Sequence, residues 1–224
     1  MRKITLFSIV LLAGAMACWA ASKEAERISN AATALGEIMA APDKGIPGNV
    51  LSKVYCIAVI PGMKKVAFVG GGQSGKGVVA CRKESGAWGP PSMLSMAGGS
   101  VGFQIGVQST DVIMLFMNKR GVEHLTSNKF EVGGDASAAA GPVGRDATAN
   151  TDAAMNAEIY TYSRSKGLFA GISLKGARVT TDDDGNRAIY GRPISAKVLL
   201  QEGTVAAPAD AKPYMDALNK YAKK

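Results

Sequence analysis

The chain is 224 residues long, carries a formal net charge of +8 at pH 7 from 26 Lys and Arg against 18 Asp and Glu, and is 47% hydrophobic. That length suits one compact domain with a full core and gives no reason to invoke two. A single histidine and three cysteines give a metal centre no obvious set of ligands, and no cofactor is expected.

Residues 1–20 open with Met1-Arg2-Lys3, continue as an apolar run from Ile4 to Met16 and close on small residues around Ala17-Cys18-Trp19-Ala20. A basic start, a short apolar stretch and a small-residue exit read as a secretory signal peptide. The run is shorter than the roughly 20 residues a membrane span needs. Two cleavage points compete. One follows Ala20; the other follows Ala17 and would make Cys18 the anchor of a lipoprotein, although Ala15 stands where a bulky aliphatic residue belongs. Either way the expectation is an exported chain, periplasmic or extracellular.

Over 23–41, Ile28, Ala32, Leu35, Ile38 and Met39 fall at helical spacing, which predicts an amphipathic helix within an N-terminal segment of 21–49. Glu24, Glu26 and Glu37 outnumber Lys23 and Arg27 on it, so its charge opposes an anionic surface and packing on a sheet is its expected role. Pro42 and Gly45-Ile46-Pro47-Gly48 end it. Short β-rich runs follow at 54–60, 66–72, 77–83, 100–107 and 111–117. The connections Pro61 to Lys65 and Gln73 to Lys76 read as hairpin turns, making the first three runs an antiparallel meander. A short helix is expected over 119–127, then strands near 129–135, 137–143, 156–163, 168–174 and 176–181, an acidic turn at Asp182 to Gly185 and a short helix over 186–190. The tail, 204–224, reads as a linker and a helix carrying Tyr214, Leu218 and Tyr221 at helical spacing. The fold class is α+β: an antiparallel sheet or partial barrel with an N-terminal amphipathic helix and C-terminal helices.

Between Lys53 and Lys83 stand Lys53, Lys64, Lys65, Lys76, Arg82 and Lys83 without one Asp or Glu. A clustered surplus of cations implies an anionic partner. For an exported chain that partner is an anionic phospholipid surface or polymer rather than nucleic acid. In the expected meander Lys64, Lys65, Arg82 and Lys83 share one end of the sheet, and they form the candidate lipid-binding face. Cys56 and Cys81 make an even pair, read as a disulfide in an oxidising compartment, with two buried thiols on neighbouring strands as the other reading.

Motifs that imitate catalytic sites do not hold. Gly70 to Lys76 resembles a phosphate-binding loop, but Gly77 stands where Ser or Thr must hold magnesium, and a strand follows. Gly98-Gly99-Ser100-Val101-Gly102 matches a hydrolase elbow, yet His124 is too close behind and Ser100 enters a β-like run. Asp182-Asp183-Asp184-Gly185 lacks the ligand spacing of a calcium loop. No catalytic residue and no metal ligand is assigned.

Three stretches carry a family likeness: Ala97 to Gly106 with Asp111 to Asn118, Lys129 through Asp135 to Arg145, and Ala157 to Ser173. Together they resemble the SYLF domain, a lipid-binding family, over residues 50–203. The resemblance implies a non-enzymatic module binding phospholipid, with actin filaments a further partner among fungal members. Actin is set aside here on the ground of export, leaving a membrane surface of the cell envelope or an envelope protein. Gln104, Asp111, Lys129, Asp135, Arg145, Ser163, Arg164 and Lys166 match family polar positions.

Overall fold

The computed structural model describes residues 23–40, 45–67, 71–100, 106–127, 129–143, 157–165 and 168–223. The signal-peptide segment, Cys18, Gln104, Arg145 and Lys166 lie outside these residues.

Helix α1 (23–39) opens the described chain and α2 (Gly48–Leu51) follows. Then come β1 (Cys56–Ala67), β2 (Gly71–Cys81), β3 (Ser92–Ser100), β4 (Gly106–Phe116), α3 (Lys119–Thr126), β5 (Lys129–Glu131), β6 (Ala138–Ala140), β7 (Ile159–Ser165), β8 (Leu168–Gly171) and β9 (Arg178–Thr181). Helix α4 (Asp183–Tyr190), a π-helical turn (Val198–Glu202), a 3-10 turn (Ala209–Ala211) and α5 (Lys212–Tyr221) complete it. Among the described residues the strands form one nine-stranded sheet in the order β5-β9-β3-β2-β1-β4-β7-β6, with β8 also on β7. Only β6 and β7 run parallel. The sheet curls into a half-barrel, so the class read from the sequence holds.

Strand β1 lies between β2 and β4 and is buried on both faces at its start. Ile57 and Val59 face the helices, where Ile28, Leu35 and Ile38 of α1 and Tyr214 and Leu218 of α5 pack. Cys56, Ala58 and Ile60 face the opposite side of the sheet, in a second core with Val112, Leu125, Phe130 and Leu199. An uninterrupted apolar run is what a strand covered on both faces requires. Cys56 and Cys81 stand opposite each other across β1 and β2 and are joined by a disulfide. Closing that loop stabilises the fold by roughly 3 to 4 kcal/mol in the chain-entropy model.

The expected meander needs correcting. Pro61 to Lys65 does not reverse the chain; it is a bulge inside β1, where the register slips against both β2 and β4. Pro61 has no N–H for the ladder, and Gly62 takes a positive φ of 58°. Gln73 to Lys76 likewise lies within β2. The glycines of this stretch serve the bulge: a Cβ at Gly75 would sit 2.7 Å from Ile60 Cγ2, and one at Gly77 would collide with the Val59 carbonyl oxygen. The phosphate-loop likeness is therefore a packing requirement. Strand β3 was not expected; of the strand expected at 100–107, Ser100 ends β3, residues 106–107 open β4, and 101–105 lie outside the described residues.

Helix α1 follows its periodicity, with Ile28, Leu35 and Ile38 fully buried. Leu35→Asp places an unpaired carboxylate in that layer and should lower stability by at least about 3 kcal/mol in urea unfolding. A variant that melts like the parent but loses vesicle binding would mean that α1 serves as a lipid anchor instead.

Candidate functional site

The four cations singled out above divide into two pairs. The eight-residue step from Cys56, beside Arg82, to Lys64 spans roughly 26 Å at about 3.3 Å per residue. Lys64 and Lys65 therefore lie beyond the bulge at one end of the sheet, Arg82 and Lys83 at the other. The shared end rested on the turn that the structure replaces with a bulge.

Arg82 is a fastening rather than a free cation. Its Nε donates to the Val54 carbonyl at 3.2 Å and Nη1 to that of Gly86 at 3.1 Å, while Nη2 donates to the Ala222 carbonyl. The guanidinium lies 4.3 Å from the centre of the Trp88 ring. Burial pushes its pKa down, but the fork stays protonated. One side chain thus ties the approach to β1, the loop after β2 and the end of α5 together. Lys83 is exposed, its stem laid along Gly203 and Gly89.

Around this end lies a groove of about 810 Å³ whose walls include Lys53, Tyr55, Arg82, Lys83, Lys119 and Glu123. Four segments distant in sequence build it, so no local pattern announces it; Tyr55 and Lys119 carried no signal. At the other end Lys64 sits between Ser74 and Ser109, and Lys65 between Gln73 and Gln108. Among the described residues neither lysine makes an ion pair.

Three of the matched polar positions, Asp111, Asp135 and Arg164, hold the frame. Asp111 and Arg164 are direct partners across β4 and β7. The Asp111 carboxylate accepts the Gly62 N–H at 2.8 Å through Oδ1, while Oδ2 receives Arg164 Nε at 3.2 Å and Nη2 at 2.8 Å. Arg164 also pairs with Glu37 of α1. Asp135 accepts the Glu131 N–H at 2.9 Å in a turn. The acidic turn is not simply exposed: Asp182 is buried, caps α4 through Gly185 N–H at 3.2 Å, and receives Lys76 Nζ at 2.8 Å. Among the described residues no three His, Cys, Asp or Glu side chains come together to hold a metal.

Arg82→Lys keeps the charge but not the fork, and is expected to lose about 2 kcal/mol in urea unfolding, whereas Lys83→Gln should stay within about 0.5 kcal/mol. Equal stability of the two variants would refute the fastening role.

Residues 97–221 match the model of the Ysc84 family, described as "Las17-binding protein actin regulator". The rat SH3 domain-containing YSC84-like protein 1 is 35% identical over 184 residues, covering 82% of this chain and 54% of the rat protein. An SH3 domain-containing protein of Schizosaccharomyces pombe is 38% identical over 177 residues, 78% of this chain and 41% of its own. Protein YSC84 of Saccharomyces cerevisiae is 34% identical over 179 residues, 79% of this chain and 38% of its own. The chain spans about half the length of these relatives or less. Regulating actin is work inside the cell, and these relatives overturn the expectation of an exported, periplasmic or extracellular protein. With it goes the ground on which actin was set aside.

Proposed function

Because this chain belongs to the Ysc84 (SYLF) family, we propose that it is a non-enzymatic binding module that docks on anionic phospholipid through the end of the sheet carrying Lys64 and Lys65. The observation that carries this reading is the pairing state of those two lysines: neither is neutralised by a partner among the described residues, and only Ser and Gln flank them across the strands. Neighbours in sequence, they point to opposite faces of the sheet. A bilayer meeting the sheet end-on can reach both. In this reading 50–203 is the lipid-binding domain, 21–49 and 204–224 brace it, and Lys83 with Arg82 stands away from the bilayer.

Near an anionic membrane each cation contributes about 1 kcal/mol, so two favour binding by about 2 kcal/mol, or roughly thirtyfold. The attraction is screened over about 8 Å at physiological salt and weakens as salt rises. In co-sedimentation with phosphatidylserine vesicles, Lys64→Gln with Lys65→Gln should lower affinity at least tenfold at an unchanged Tm, while Lys83→Gln should change it little. Undiminished binding by the folded double variant rules out this end as the membrane contact.

The family description favours a second reading, contact with an actin-regulating protein or with actin itself. Sedimentation with purified actin filaments separates the two: filament binding that survives the double lysine substitution, without vesicle binding, would leave the protein-contact reading alone.

A further inference from the structure

The groove at the opposite end is not used by the membrane contact, and its chemistry differs from that of a lipid face. Lys53, Lys83 and Lys119 stand exposed on its rim, and among the described residues none of them makes an ion pair. Glu84 and Glu123 are the acids of the same rim, so positive charge is in excess there even before Arg82 is counted. The walls supply apolar surface from Val54, Met117, Val122 and Leu200. Tyr55, at 39% exposure, is one of three large hydrophobic side chains left exposed among the described residues.

We propose that this groove is a docking site for a short acidic segment of a partner protein in which aliphatic or aromatic residues alternate with Asp or Glu. The concavity sets the scale of the ligand: about 810 Å³ lies in the range of sites that enclose a few side chains rather than a flat surface. A bilayer cannot enter it. The sign of the rim selects an acidic over a basic segment, since unlike potentials across an interface favour encounter and like potentials exclude wrong partners. The mixed composition selects peptide over acyl chain: Ser52, Gln201 and two carboxylates interrupt the apolar wall, and a hydrocarbon tail laid there would leave them without water. The N–H groups of a peptide backbone can donate to those groups and its acids can pair with the rim lysines, while one apolar side chain packs on Tyr55 as the anchor such interfaces use. The site is independent of the vesicle contact, for it shares none of the residues on which that reading rests.

The test is fluorescence anisotropy on the full chain with a labelled twelve-residue peptide alternating Glu with Leu and Phe, against the same peptide with Gln for every Glu. The acidic peptide should bind saturably and the Gln peptide at least tenfold more weakly. Lys53→Gln with Lys119→Gln removes two exposed rim charges and should weaken the acidic peptide about tenfold, taking two surface pairs near the upper end of their usual strength. Tyr55→Ala should weaken both peptides, and the Lys64→Gln, Lys65→Gln protein should bind as the parent does. Equal affinity for the two peptides, no binding of the acidic one, or affinity untouched by the Lys53, Lys119 double variant would each overturn the proposal. So would a double variant that keeps the peptide and loses phosphatidylserine vesicles, since that result assigns the groove to a lipid headgroup. Tyr55 is partly buried and its loss could unfold the chain; the two exposed lysines keep the test decisive.

Discussion

The bulge at Pro61-Gly62 is the constraint from which the layout of the molecule follows. Up to Ile60 the central strand is sealed on both faces, and its ladder must continue with partners on either side. At Pro61 the ladder loses a donor, and the exposed Gly62 N–H, which leaves the ladder, donates to Asp111 instead. Asp111 in turn needs a counter-charge, which Arg164 gives from the next strand, and Arg164 reaches Glu37 on the helix above. One irregularity in β1 is thus answered from β4, β7 and α1 together. On the β2 side the answer is absence of side chains, at Gly75 and Gly77. Beyond the bulge and the buried Met63, β1 places Lys64 and Lys65 opposite Ser74, Gln73, Ser109 and Gln108. The packed base and the polar end of one sheet meet at this bulge.

Helix α1 is held over the base by two unlike kinds of force. Burial of Ile28, Leu35 and Ile38 supplies the larger part, at about 1.5 to 3 kcal/mol for each side chain. The ion pairs near its two ends contribute less: exposed Glu37 with Arg164 is open to water, and Arg27 with the buried Asp182 at 3.5 Å must offset its own desolvation. They do fix the register of the helix on the sheet, because each engages a residue already committed elsewhere: Asp182 to the cap of α4, Arg164 to Asp111. One of the acids that made this helix a poor candidate for an anionic surface, Glu37, helps to fasten it down.

Periodicity made α1 and the C-terminal helix legible, because burial of one helical face leaves a mark that survives without tertiary information. The strands were harder for a physical reason. Pro-Gly and Gly-Gln-Ser-Gly-Lys carry the composition of turns, yet here the same residues relieve a bulge within long strands. Ser92 to Ser100 contains no β-branched residue, so β3 left no local trace. The Cys56–Cys81 disulfide was read from an even count and an expected oxidising compartment; the bridge is present although the relatives overturn that expectation. Asp111 and Arg164 were visible only through the family likeness, since two charges 53 positions apart have no spacing to read. Arg82 looked like any surface cation; the carbonyls it serves come from segments that only the fold assembles.

The length of the first hairpin has an electrostatic consequence. Its two ends are separated by roughly 26 Å along the strand, about three Debye lengths at physiological salt. Charge placed against Lys64 and Lys65 is therefore screened before it reaches Lys53 and Lys119, and neither end can repel or recruit a ligand on behalf of the other. The two proposed contacts are additive in that sense: a bilayer at one end leaves the groove at the other open and electrostatically unaltered. Coupling between the two proposed contacts would therefore have to come from the partners' own geometry.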